Sequence, residues 1–78
     1  MKLSRHARNN IKLYEIAEDD IRKTIEFPDM IGKEGLKTIA VKKFSGKYSG
    51  YPLKVVYAKR EKELFVITTY PLKKKLWR

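Results

Sequence analysis

The spacing of apolar residues changes once along this chain, and that change constrains its fold more than any other feature. Residues 1–35 carry apolar side chains at helical spacing, as Ile21 and Ile25 do, one turn apart. Residues 36–78 instead hold runs of β-branched and aromatic residues, which are typical of strands. A chain of this length has room for one domain, so residues 1–78 should combine a helical part with an antiparallel sheet.

Two helices are predicted in the first part. Ser4 can cap a helix over residues 5–13, because its side chain can accept a hydrogen bond from a backbone N–H of the first turn. A second helix should run over residues 17–26 and end before Pro28, since the residue preceding a proline is pushed out of helical space. The glycines at 32 and 35 are interpreted as the passage from helix to sheet.

The second part predicts three consecutive strands, and Lys2-Leu3 could add a short edge strand. Short connections favour an antiparallel meander with the helices on one face and the other face open to solvent. The predicted fold class is therefore α+β, with two N-terminal helices packed on one face of a three- to four-stranded antiparallel sheet. The predicted strands are residues 36–44, 53–60 and 64–70, separated by a loop at 45–50 and a turn at 60–63.

The tetrapeptide Tyr-Pro-Leu-Lys occurs twice, at residues 51–54 and 70–73. The flanking residues differ, and a repeat architecture needs several larger units, so the copies are not a duplication. Antiparallel pairing across a turn at 61–62 sets Leu53 opposite Tyr70, which brings the two copies to one end of the sheet. Each proline then lies at a strand end, where a missing N–H donor costs least.

Positive charge is concentrated in the sheet half of the chain. The formal net charge is +10; residues 1–35 hold seven basic and seven acidic residues, whereas residues 36–78 hold twelve Lys/Arg against two Glu. Lys and Arg side chains that displace counterions from phosphates supply most non-specific affinity for nucleic acids, so we expect RNA or another polyanion as partner. The alternative is a solubilising charged surface, as in thermophile proteins.

Other features narrow the class of protein. The chain has no cysteine, which fits a reducing, cytoplasmic compartment, and no apolar run long enough for a membrane span or signal peptide. Glu18, Asp19 and Asp20 are consecutive in a helix and point in different directions, so they should stabilise the helix start rather than bind a metal. We expect no cofactor, no metal and no membrane partner.

Basic and aromatic residues interleave in the second half of the chain. Cations that follow a phosphate backbone, alternating with rings on which bases stack, are typical of surfaces that bind single-stranded nucleic acid. Alternatively, the rings of Tyr57 and Trp77 belong to the core and the lysines form a solvated rim. The predicted nucleic-acid-binding residues are Lys54, Lys59, Arg60, Lys74, Lys75, Arg78, Tyr51 and Trp77.

Several short stretches carry a family resemblance. Gly50-Tyr51-x-Leu53, followed after a turn by Phe65-Val66-Ile67-Thr68, resembles the last two strands of the RelE/ParE/BrnT-type toxin superfamily. The opening Ser4-x-His6-Ala7 is similar to small uncharacterised domains grouped with those toxins. The resemblance implies a helix pair packed on an antiparallel sheet.

The resemblance also implies an activity. Such toxins are metal-independent endoribonucleases that cleave messenger RNA, often on the ribosome, and an antitoxin, here expected to be acidic, covers their basic face. Cleavage of this kind needs a base, cations and an acid, for which His6, Tyr70 and Lys73 are the candidates. Pro52 and Leu72 stand where the family keeps arginines. The alternative function is a non-catalytic module of the same fold that binds nucleic acid or an acidic protein segment.

His6 is the only histidine in the chain, and histidine is the side chain best suited to exchange a proton near neutral pH. It is therefore the natural general acid or base of a metal-free reaction. The alternative is a histidine that packs or hydrogen-bonds at the seam between helix and sheet. The sequence names no partner that would decide between these roles.

Overall fold

Two helices on one face of a five-stranded mixed sheet make up the fold, which confirms the predicted α+β class. The computed structural model describes residues 1–73. None of the helices in this range is long and apolar enough to cross a membrane. The elements are β1 (Lys2–Leu3), α1 (Arg5–Tyr14), α2 (Glu18–Glu26), β2 (Met30–Glu34), β3 (Lys37–Lys42), a short 3₁₀ turn (Tyr48–Gly50), β4 (Leu53–Arg60) and β5 (Glu63–Pro71).

The sheet differs from the prediction at both of its edges. Its strand order is β1-β5-β4-β3-β2, and β1 pairs parallel with β5, so the sheet is mixed rather than antiparallel throughout. The strand β2 lies where the sequence predicted only a passage from helix to sheet. It forms an antiparallel hairpin with β3 through a turn at Gly35, whose φ of 64° favours glycine. All five residues of β2 are exposed, so the burial that marks a strand in sequence is missing.

The helices divide the sheet between them. α1 packs mainly on β5, and α2 packs on β4 and β3. The core that they enclose is apolar, and Tyr57 is partly buried against it, which agrees with the alternative that placed this ring in the core. The buried residues of this core are Ala7, Ile16, Ile21, Leu53, Val55 and Val66.

The start of α1 is fixed to β5 by Ser4. Its Oγ accepts a hydrogen bond from the Ala7 N–H at 3.0 Å, which is the predicted cap. The same hydroxyl donates to the carbonyl oxygen of Ile67 at 2.6 Å, and the backbone N–H of Ser4 donates to the carbonyl oxygen of Val66 at 3.0 Å. One residue therefore ends β1, begins α1 and holds both to the neighbouring strand.

A one-residue irregularity interrupts the β4–β5 ladder. Between the turn and Tyr57 the two strands pair in the predicted register. Beyond Tyr57 the register shifts by one because Ile67 has no partner on β4. Leu53 consequently faces Pro71 and not Tyr70, which corrects the predicted pair while keeping both prolines at strand ends.

Replacing Ser4 tests how much its hydroxyl contributes. We expect Ser4→Ala to lower the free energy of unfolding by about 2 kcal/mol, because a helix cap and a bond to a part-buried carbonyl are both lost. Ser4→Thr, which keeps the hydroxyl, should lose less, and Ser45→Ala, at an exposed serine, should change stability by less than about 0.5 kcal/mol. Urea denaturation measures all three, and equal stability of Ser4→Ala and Ser45→Ala would contradict the assignment.

Candidate nucleic-acid interface

The two Tyr-Pro-Leu-Lys copies meet at one end of the sheet, as the sequence predicted. Lys54 pairs directly with Tyr70, and the Lys54 Nζ lies 5.4 Å from the centroid of the Tyr70 ring. The Leu72 N–H donates to the carbonyl oxygen of Pro52 at 2.8 Å, which continues the contact between the copies past the strand ends. Without the register shift in β5, Tyr70 would lie opposite Leu53. The shift places Tyr70 opposite Lys54 instead.

This pair lies on the sheet face away from the helices. Leu53 and Val55, the neighbours of Lys54 on β4, are buried in the core beneath the helices, and successive strand residues point to opposite faces. Directly paired residues share a face, so the pairing assigns the other members of this surface, which we call the open face. The residues that pairing along β4 places on it are Ile39 and Val41 of β3, Lys54, Val56, Ala58 and Arg60 of β4, and Glu63, Phe65, Thr68 and Tyr70 of β5.

A second cation–ring pair lies at the other end of the open face. The Arg60 guanidinium carbon is 5.5 Å from the centroid of the Phe65 ring. Arg60 follows Lys54 by six residues on one strand, which corresponds to about 20 Å along β4. Between the two pairs the β4 side chains Val56 and Ala58 are apolar, and Val56, which lies opposite Thr68, is only 8% exposed. The open face thus presents two cation–ring pairs separated by an apolar floor.

The remaining predicted binding residues lie elsewhere. Tyr51 is 39% exposed and precedes β4 at the Lys54 end. Lys59 pairs with Leu64 on the helix-covered face, at the Arg60 end, so it does not join the open face. Lys74, Lys75, Trp77 and Arg78 lie outside the described residues.

The three candidate catalytic residues have different surroundings. His6 is exposed in the first turn of α1, and within residues 1–73 its side chain makes no hydrogen bond, ion pair or ring contact. The Lys73 Nζ lies 5.7 Å from the ring centroid of Tyr14, at the other end of α1. Eight residues separate His6 from Tyr14, or about 12 Å along the helix axis. Tyr70 contacts Lys54 on the open face, so the described contacts do not join these side chains around one point.

A buried carboxylate that the sequence analysis assigned to the helix start lies beside this end of the sheet. The Asp20 side chain is 2% exposed, and its oxygens accept hydrogen bonds from the Tyr48 hydroxyl at 2.6 Å and from the Lys47 Nζ at 3.0 and 3.2 Å. Tyr48 in turn accepts a bond from the Ala17 N–H at 3.3 Å. Asp20 therefore ties α2 to the loop between β3 and β4.

The pKa values of the two acidic groups in this cluster, the Asp20 carboxyl and the Tyr48 phenol, shift in opposite directions. Burial by itself would raise the pKa of Asp20, but the hydrogen bonds from Tyr48 and Lys47 and the nearby positive charge lower it below its ordinary value. Burial and the bond to the Asp20 carboxylate together raise the pKa of the Tyr48 phenol to about 12. The carboxylate is thus charged and fully bonded at neutral pH, with Tyr48 as a neutral donor.

The loop held by Asp20 is conformationally unusual. Tyr48 and Ser49 have φ of 55° and 53°, in the left-handed region that non-glycine residues seldom adopt. With Tyr14, Glu15 and Lys47 they line a cleft of about 350 Å³ above the carboxylate. Since Asp20 already has its partners, we interpret the cluster as the anchor that positions the start of β4.

A sequence signal for this anchor exists. Asp20 lies four residues after Ile16 and four before Thr24, and all three are buried, so Asp20 falls on the buried stripe of its helix. A charged residue on such a stripe needs a partner, which the first-turn interpretation did not consider. Within residues 1–73 no group of three acidic or histidine side chains converges to hold a metal ion.

Comparison with known proteins identifies a family. A family model described as "Domain of unknown function (DUF4258)" matches residues 3–71, nearly all of the chain. No curated protein and no solved structure matches the chain significantly.

The hydrogen bond from Tyr48 to Asp20 should make the fold sensitive to alkaline pH. The pKa of Tyr48 is raised from 10.0 to about 12 in the folded chain, so the unfolded chain loses this proton first. The stabilisation is complete below pH 10 and is lost as the pH rises through about 12.

We therefore expect the free energy of unfolding to fall more steeply between pH 10 and 12 in the wild type than in Tyr48→Phe. Tyr51→Phe, a matched change at an exposed tyrosine, should keep the wild-type slope. Urea denaturation at a series of pH values measures these slopes. The same slope in Tyr48→Phe and the wild type would show that Tyr48 does not carry the effect.

Proposed function

The chain belongs to the family of domains of unknown function DUF4258, and we propose that it binds single-stranded RNA through the open face of its sheet. The observation that carries this proposal is the presence of two cation–ring pairs, Lys54–Tyr70 and Arg60–Phe65, on one helix-free face about 20 Å apart. Each pair joins a group that can bind a phosphate to a ring on which a base can stack.

The shape and charge of the molecule support this proposal. A helix-free sheet face with partly exposed rings suits unpaired bases, which can be splayed out and stacked on a protein surface. The distance between the pairs spans several nucleotides, and Val56 and Ala58 between them carry no charge; the one carboxylate that pairing with β4 places on this face is Glu63, opposite Arg60 at its end. The net charge of +10 would attract a phosphate backbone over distances longer than these contacts.

The surroundings of His6, Tyr70 and Lys73 favour binding without cleavage. Metal-independent cleavage needs a base, a cation and an acid around one phosphate. Tyr70 is beside Lys54, Lys73 is beside Tyr14, and His6 is at the far end of α1. The resemblance to RelE-type toxins, and with it the messenger-RNA endoribonuclease and an acidic antitoxin, remains a hypothesis that experiment has to decide.

Substitution of the two cations tests the binding face. We expect Lys54→Ala and Arg60→Ala each to weaken binding of a single-stranded RNA oligonucleotide about three- to tenfold, because a phosphate contact is lost. Each should also reduce the slope of log affinity against log salt by about 0.7. Lys12→Ala removes the same charge from α1 and should change affinity less than about twofold. Fluorescence anisotropy at several salt concentrations measures these quantities, and equal losses in all three variants would refute the proposed face.

A cleavage assay separates the two functions. We expect single-stranded RNA and the messenger RNA of translating ribosomes to remain intact when incubated with the protein in EDTA, since the described residues do not assemble a cleavage site. Cleavage that disappears in His6→Ala would instead establish the toxin-type nuclease. Cleavage that persists in His6→Ala and Lys73→Ala would indicate a contaminating nuclease.

A further inference from the structure

The two edges of the sheet are built differently. At one edge β1 has only two residues, and the chain turns directly into α1. At the other edge β2 has five residues, pairs with β3 without irregularity and has no strand on its outer side within residues 1–73. An edge strand presents a row of backbone N–H and C=O groups, and proteins usually shorten, bend or cover such an edge or place charged residues, especially lysine, on it. The edge at β1 is shortened in this way, whereas β2 is neither short nor bent and carries one lysine, Lys33.

Large apolar side chains are exposed along this edge. Met30 and Ile31, the first two residues of β2, are 45% and 61% exposed, and Leu36 in the hairpin turn is 95% exposed. Phe27, three residues before the strand, is 67% exposed. Scattered single apolar residues are normal on a surface, but these belong to one short segment around one edge strand.

Nothing within the described residues explains why residue 32, in the centre of β2, is a glycine. Its φ lies outside the left-handed range, and a Cβ added there would meet no atom of the described residues within 4 Å. Neither the backbone nor the packing of this chain therefore requires a glycine, although glycine weakens a strand. A glycine inside a strand often marks the close approach of another chain, because the missing side chain leaves space for a large one beside it.

Charge decides which occupant suits this edge. Residues 30–43 hold four lysines against Glu34, and the whole chain has a net charge of +10. A second copy would bring the same charge to the contact, whereas an acidic segment would be attracted.

We propose that β2 is a docking edge for an extended acidic segment of another protein, which adds to the sheet as a sixth strand. Backbone hydrogen bonds along β2 would supply affinity, as in other cases of strand addition. A large apolar side chain of the partner would fill the space beside Gly32, its two apolar neighbours would cover Ile31 and the aliphatic part of Lys33, and acidic residues further out would be attracted by the lysines of residues 30–43. This inference does not rest on RNA binding, since it uses residues outside the two cation–ring pairs.

A symmetric seven-residue peptide, Glu-Glu-Val-Phe-Val-Glu-Glu with blocked ends, is the probe for this edge. We expect it to bind with protection from hydrogen exchange, followed by NMR, of those backbone amides of residues 30–34 that do not donate to β3. Of two versions of the peptide, one N-methylated at its odd and one at its even residues, one should lose this binding, because its methyl groups replace the N–H groups that face β2. Replacing its four Glu by Lys should weaken binding at least about tenfold.

Matched variants of the protein locate the contact. Ile31→Ser should weaken peptide binding about tenfold, and Leu13→Ser, at a residue 69% exposed on α1, less than about twofold. Gly32→Val should weaken the Phe-centred peptide about tenfold while an Ala-centred peptide loses less. Lys54→Ala, on the open face, should leave both peptides bound and weaken only RNA, which separates failure of this inference from failure of the RNA proposal.

Four outcomes would overturn the inference. The first is no change in the protection of residues 30–34 with the peptide, and the second is binding by both N-methylated peptides equal to that of the unmodified one. The third is a dimer in sedimentation experiments with these amides protected before any peptide is added, because the edge would then belong to a second copy. Retained binding in Ile31→Ser together with loss in Leu13→Ser would also contradict it.

Discussion

The unpaired residue Ile67 in β5 is the constraint on which most of this fold depends. Its insertion shifts the β4–β5 register by one, so that Pro71 joins Leu53 in the core and Tyr70 turns to the open face beside Lys54. Its carbonyl oxygen accepts the hydroxyl of Ser4, which is how α1 is held to the strand. A bulge bends a strand and re-aims its side chains, and here it determines both where the first helix begins and which rings face solvent.

The parts that the sequence predicted are those whose burial follows a regular period. Both helices were placed to within a residue or two, and β4 and β5 were found because their β-branched and aromatic residues fill one side of a core. The strand β2 was not predicted because all five of its residues are exposed. Its sequence therefore lacks the alternation of buried and exposed residues that indicates a strand. The register shift was not predicted because β-branched and aromatic residues occupy both faces of β5. A one-residue slip therefore does not change the hydrophobic pattern of the strand.

The candidate site was predictable in outline but not in its members. The predicted hairpin pairing brings the two Tyr-Pro-Leu-Lys copies together. Which residue lies opposite Tyr70, however, depends on the unpaired residue Ile67 in β5. The three consecutive acidic residues do lie in the first turn of α2, as predicted, but only tertiary contacts show that Asp20 is also buried beneath Tyr48 and Lys47. By fixing the loop before β4, this carboxylate also fixes the end of the sheet at which Lys54 and Tyr70 meet.

Both proposed surfaces attract their partners through the positive net charge of the chain. This shared charge determines how strongly binding at one surface can affect binding at the other. An acidic segment paired on the outer side of β2 lies three strand spacings from β4, or about 14 Å. This exceeds the Debye length of about 8 Å at physiological ionic strength, so the segment would reduce the attraction for RNA at Lys54 and Arg60 only modestly. At low ionic strength the screening length grows to tens of ångströms, and the same segment would compete with RNA for the whole positive charge. Coupling between the surfaces that vanishes with added salt would be electrostatic, whereas coupling that persists would require a change in the sheet itself, transmitted from β2 through β3 to β4.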